Sequence, residues 1–95
     1  MANAALSSSV QGLRESKTVR LWRTPTGFGF SLTGQYPCVL TQVVEGSPAF
    51  KAGLKIGDYL IMVNGENVVK FNHETVVSMV AGCTDYVLLQ VCLIN

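Results

Sequence analysis

Gly27-Phe28-Gly29-Phe30-Ser31-Leu32-Thr33 sets two glycines between aromatic residues and follows them with a short strand-forming run. Glycine reaches backbone angles closed to other residues and leaves its neighbours' amides unshielded, so such a turn gathers N–H donors that can receive an anion. Two glycines cost conformational entropy, and their place ahead of a β-forming segment points to the exposed backbone as the working surface. A carboxylate and a phosphate are both candidate ligands at this stage.

Upstream, residues 18–22 alternate, with Val19 and Leu21 on one face and Arg20 between them, which predicts a strand ending near Trp22 and Arg23. Pro25 and Gly27 then force a loop. Residues 1–17 hold Ser7-Ser8-Ser9 and few large apolar side chains, show no sustained period, and read as a flexible lead-in to a domain over residues 18–95. Downstream, a second strand is expected over Phe30–Thr33 and a third over residues 38–44, joined across residues 34–37 closely enough for a hairpin. Ser47 suits an N-cap, Pro48 a first helical position and Gly53 a helix end. A helix of little more than one turn is therefore expected over residues 47–52. Residues 55–58 read as a turn, Tyr59–Val63 as a strand, Asn64-Gly65 as a hairpin signal and residues 67–69 as a brief returning strand. Asn72 caps the main helix, expected over His73–Ala81 from the spacing of Val76, Val77, Met79 and Val80 and stopped by Gly82. The last strand, residues 86–93, is apolar nearly throughout and so belongs in the middle of the sheet or under cover on both faces.

The 95 residues suffice for one domain, and a hydrophobic content of 48% suffices for a core without metal or disulfide staples. Seven Lys and Arg against six acidic residues leave a net charge of +1 without a basic run, which argues against general nucleic-acid binding. Cys38, Cys83 and Cys92 are odd in number and lack CxxC spacing; they read as reduced, partly buried thiols of a cytosolic protein. No apolar stretch approaches the roughly 20 residues of a membrane span, and the N-terminus lacks the pattern of a signal peptide, so no direct membrane insertion is expected. No cofactor and no metal site is expected either.

Taken in order, these residues resemble a PDZ domain. Gly27-Phe28-Gly29-Phe30 matches the family's Gly-Φ-Gly-Φ carboxylate-binding loop, where Φ is hydrophobic. Gly46-Ser47-Pro48-Ala49 and Ala52-Gly53-Leu54 match around the small helix, Ile56-Gly57-Asp58 and Val63-Asn64-Gly65 after it, and Asn72-His73-Glu74 at the opening of the long helix. The resemblance covers residues 18–93, and several motifs in order at the family's spacing are specific where one alone is weak. It implies an α+β fold: a small, partly open β-barrel or sandwich of five to six mainly antiparallel strands capped by two helices. The short connection at residues 34–37 further resembles signalling proteins such as Rho exchange factors and regulators of G-protein signalling.

The resemblance also implies a function. Such domains are non-enzymatic modules that bind free C-termini of other proteins, such as membrane receptors or signalling proteins, and this chain is expected to be a monomer. They sit in cytoplasmic scaffolds recruited to membranes through their partners. The incoming chain end would add as an antiparallel strand along Phe30, Ser31, Leu32 and Thr33, in a groove between the second strand and the long helix. Its carboxylate would rest on the amides of Phe28, Gly29 and Phe30, with Arg23 assisting through an ordered water. Its last side chain would be apolar and lie among Phe28, Phe30, Leu32, Val77 and Val80. Val80 is smaller than the leucine often found there, which leaves room for Leu, Ile or Phe beside Val. His73 stands where many members hydrogen-bond a Ser or Thr two residues before the ligand's end, so the favoured ligand is Ser/Thr-X-Φ-COOH, called class I.

Other readings fit the residues less well. A dinucleotide fingerprint needs glycine where Leu32 stands, no Walker lysine follows the loop, and a strand comes next where a helix should open. Cys38 opens the third strand beside the groove edge, where a thiol can be accessible. The chain has one histidine and no evident triad partner for it, so a nucleophile is not supported. A regulatory module of a larger enzyme or exchange factor, reading an internal segment in the same groove, is the alternative.

Overall fold

The computed structural model describes residues 15–93; residues 1–14 of the expected lead-in lie outside the described residues, as do residues 94–95. Strand β1 is Ser16–Trp22, β2 Phe30–Thr33, β3 Val39–Val43, β4 Tyr59–Val63, β5 Glu66–Asn67 and β6 Tyr86–Cys92, and the helices are α1, Pro48–Lys51, and α2, His73–Ala81. The sheet runs β1-β6-β4-β3-β2 with every pairing antiparallel, and β5 pairs with β4 off that path. The apolar last strand is thus an inner strand. At one end of the order β2 is left as an edge, and this positions the site.

Alternation along the strands and the three-to-four spacing of α2 bring one apolar set together. Leu21 of β1, Leu40 of β3, Leu60 and Val63 of β4, and Val87, Leu89 and Val91 of β6 are covered by Val76 and Val80 of α2 and by Ala49 of α1. Each fully buried Leu or Val contributes about 1.5–3 kcal/mol. Leu60 and Val63 are three apart yet both buried. The β4–β6 register shifts between Leu60 and Met62, so Ile61 is an extra residue and the pleat recovers the same face.

Both helices begin as their caps dictate. The Ser47 hydroxyl accepts from the Phe50 N–H at 3.1 Å, and the Asn72 side-chain oxygen accepts from the Thr75 N–H at 2.8 Å. No helix among the described residues is long and apolar enough to cross a membrane.

The structure differs from the expected elements at several ends. β1 starts at Ser16, two residues early. Ser16 and Lys17 lack apolar alternation, but Lys17 lies opposite Val91, and the Leu93 N–H donates to the Glu15 carbonyl at 2.7 Å. The Lys17 ammonium also donates to the carbonyls of Ala52 (3.1 Å) and Gly53 (3.2 Å), beyond the C-terminal end of α1, where a cation is favoured. The returning strand is Glu66–Asn67 rather than residues 67–69, because the Asn67 side chain takes the Val69 N–H at 2.9 Å and closes a local turn. β3 is one residue shorter at each end than expected, and β6 stops at Cys92. Cys38 is not accessible at the groove edge: it is 0% exposed, and its thiol donates to the Gly34 carbonyl at 3.4 Å.

Candidate functional site

Three successive peptide units shape the loop before β2. The Thr24 N–H and hydroxyl donate to the Gly27 carbonyl at 3.0 and 2.8 Å, the Ala49 N–H to the Phe28 carbonyl at 3.1 Å, and the Val44 N–H to the Gly29 carbonyl at 2.8 Å. In a trans peptide the N–H points opposite to its carbonyl, so the N–H groups of Phe28, Gly29 and Phe30 all point away from these partners. Among the described residues none offers an acceptor to the N–H of Phe28 or Gly29. The alternation depends on φ of +98° at Gly27 and +93° at Gly29, angles that side chains disfavour. At Gly29 a Cβ would also overlap the Ser47 side chain.

The same reasoning locates the free groups of β2. Bonded and non-bonded pairs alternate along an antiparallel ladder, and Gly29 is bonded to Val44, so Phe30, opposite Val43, turns its N–H and C=O away from β3. A register shift between Ser31 and Leu32 then sets Leu32 opposite Leu40. The N–H and C=O of Leu40 are already taken by the Asp58 carbonyl (2.9 Å) and the Gly57 N–H (2.8 Å). Leu32 therefore also presents its backbone groups at the open edge.

Facing that edge, α2 carries His73, Val77, Val80 and Ala81 on one stripe, since residues three and four apart share a helix face. Between stripe and strand lies a groove of about 530 Å3, a size suited to a ligand rather than to one or two waters. Val80 is buried at its floor and Val77 is 39% exposed. The His73 Nε2 lies 3.0 Å from the Leu32 carbonyl oxygen; a carbonyl only accepts, so Nε2 carries the hydrogen. The main-chain N–H of His73 donates to the Gln35 side-chain oxygen at 3.1 Å.

Of the residues singled out in the sequence, Phe28, Gly29, Phe30, Arg23, Ser31, Leu32, His73, Val77 and Val80 come together around this groove. Thr33, at the end of β2, is exposed and does not line it. Arg23 stands at the loop end. Its Nη1 donates to the Cys83 carbonyl at 3.0 Å, and its guanidinium carbon lies 5.6 Å from the Phe28 ring centroid. Thr26, Val44 and Ala81 line the groove without having been singled out. Ala81 carries a readable signal, four residues after Val77 on the helix. Val44 is placed by its bond to Gly29, a register that no local pattern reveals.

The PDZ domain family model matches residues 18–93. Regulator of G-protein signaling loco of Drosophila melanogaster is 45% identical over 75 residues, 79% of this chain and 5% of that protein. Regulator of G-protein signaling 12 of Homo sapiens is 46% identical over 68 residues, 72% of this chain and 5% of that protein. The chain is thus similar to a small part of much longer relatives. A solved structure, the PDZ domain from choanoflagellate SHANK1 bound to a GIRK3 peptide, matches with a TM-score of 0.83 at 27% identity, covering 87% of this chain and 97% of that one.

Proposed function

The chain belongs to the PDZ domain family, a family of interaction modules rather than catalysts, and from that premise we propose that it binds the free C-terminus of a partner protein as a strand added between β2 and α2. The ligand is of the form Ser/Thr-X-hydrophobic-COOH. The observation that carries this reading is the set of three N–H groups, of Phe28, Gly29 and Phe30, each opposite an occupied carbonyl. They supply donors where a chain end arrives, and donors to an ionised carboxylate make stronger bonds than those to a neutral amide. The outward backbone groups of Phe30 and Leu32 would continue the pairing, and Val77 and Val80 would receive the last side chain.

The peptide bound by the choanoflagellate relative supports a peptide as the ligand class, and the relatives named as regulators of G-protein signaling support a signalling protein as the setting. We place the domain, as a monomer, in the cytoplasm on the tails of membrane receptors or signalling proteins. Affinity is micromolar, about 8 kcal/mol of standard free energy.

The test is a titration with a peptide ending Thr-X-Val, prepared once as the free acid and once as the C-terminal amide. The acid binds and the amide is weaker by roughly tenfold or more, from the charge-assisted bonds it lacks. Equal binding removes the carboxylate from the recognition.

A further inference from the structure

We infer that His73 latches the free groove shut at Leu32, and that ligands are selected by whether they offer the imidazole a new acceptor when the latch opens; this rests on the groove's being a peptide site. Leu32 presents its carbonyl at the open edge of β2 because the backbone of Leu40, opposite it, is fully engaged by Gly57 and Asp58. That carbonyl is the acceptor for the Nε2–H of His73 at 3.0 Å. The N–H of His73 is meanwhile held by Gln35 at 3.1 Å, so the start of α2 is tied twice to the β2–β3 hairpin.

A carbonyl oxygen has two lone pairs, and one bond from the ring leaves the other for an incoming N–H. Sterics decide between the ring and the ligand. A side chain that reaches from α2 to touch β2 spans the space that a strand inserted between them must fill. The ring therefore swings away whenever a ligand pairs along Leu32, and its Nε2–H loses the Leu32 acceptor.

The fate of that donor depends on the third residue from the ligand's end. A Ser or Thr hydroxyl accepts from the same Nε2–H without a change of tautomer, so one bond replaces another. A valine of nearly the same shape as threonine offers no acceptor, and a half-buried donor is left without a protein partner, which is unfavourable. The free-state bond thus opposes every ligand, and only an acceptor-bearing ligand offsets it. Part of the preference for Ser and Thr then comes from the free domain rather than from the complex.

The experiment pairs two peptides that differ only in Thr or Val at that position, both free acids ending in Val, titrated against the unaltered protein and His73→Ala. A net hydrogen bond corresponds to roughly two- to tenfold in affinity. His73→Ala is expected to bind the Thr peptide about as well as the unaltered protein does, since both the opposing and the replacing bond are gone, and the Val peptide roughly two- to tenfold more tightly. Proton–nitrogen NMR of the unaltered protein supplies a second arm that needs no variant. The His73 Nε2–H resonance is visible and protected in the free domain, retained with the Thr peptide, and lost to solvent exchange with the Val peptide. Val-peptide binding that is unchanged or weaker in His73→Ala overturns the latch, as does a free domain whose ring shows no protected Nε2–H. If the unaltered protein binds neither peptide, the groove reading itself fails and the latch with it.

Discussion

The Ser47 hydroxyl joins α1 to the loop before β2: it donates to the Gly29 carbonyl at 3.4 Å while accepting from the Phe50 N–H at 3.1 Å. One side chain thus caps a helix and helps to fix the peptide unit whose opposite side is the Phe30 N–H. The short helix matters to the site through this contact and through the Ala49 N–H on the Phe28 carbonyl. Its four residues carry little stability of their own.

The two loop glycines are expected to differ on substitution. Both have positive φ, but nothing lies within 4 Å of a Cβ built at Gly27, whereas one at Gly29 overlaps Ser47. Gly27→Ala should cost only the backbone strain, about 1–2 kcal/mol. Gly29→Ala adds a steric conflict with Ser47 and should cost about 3 kcal/mol or more while displacing the loop. Denaturant unfolding of the two variants measures this, and equal losses would show that the Gly29–Ser47 approach is not tight.

Arg23 should matter less than the loop. Its guanidinium is held by the Cys83 carbonyl and the Phe28 ring, which leaves further N–H donors free at the groove mouth on an exposed side chain. Arg23→Ala is expected to weaken a free-acid peptide by about threefold and to flatten the salt dependence of binding, as exposed charges are screened. Titrations at low and high salt measure both effects. A loss as large as that from amidating the peptide would instead place Arg23 in direct contact with the carboxylate.

Val80 sets the depth of the groove. It is buried at 8% exposure on the stripe with His73 and Val77, so Val80→Leu adds volume where the last side chain of the proposed ligand would lie. Peptides ending in Phe or Leu should lose affinity about tenfold or more relative to the same peptide ending in Val, since a methylene in such a pocket is worth about 1–3 kcal/mol. Parallel titrations of the three peptides against both proteins give the rank order. An unchanged order would mean that the last side chain lies elsewhere.

Features with local causes were legible in the sequence. The loop glycines, the Ser47 and Asn72 caps and the extent of α2 derive from residue types within one turn of one another, and the structure places them as expected. Long-range ties were not legible, because no local rule reaches across 35 residues from Lys17 to Ala52, 41 from Leu32 to His73 or 60 from Arg23 to Cys83. The returning strand departs from the expected residues 67–69 for a different reason: Asn67 stands where a strand continues, yet its side chain competes for the backbone and ends the ladder. The burial of Cys38 was readable, since it shares the face of Leu40 two residues on.

That burial gives the last expectation its sign. Desolvation pushes the Cys38 thiol up from its ordinary value of 9.0, because the thiolate is disfavoured away from water. The unfolded chain therefore releases this proton at lower pH than the folded one. The stabilisation is fully present below the unfolded value and is lost progressively as pH rises from there through the raised folded value. Unfolding free energy measured at pH 8 and again near pH 10.5 should fall in both the unaltered protein and Cys38→Ala, but more steeply in the unaltered protein, the other titrating groups being common to both. Mass spectrometry after mild alkylation at pH 8 should find Cys38 unmodified in the folded state and modified once denaturant unfolds the chain. Identical pH slopes in the two proteins, or rapid labelling of the folded one, would show that water reaches the start of β3.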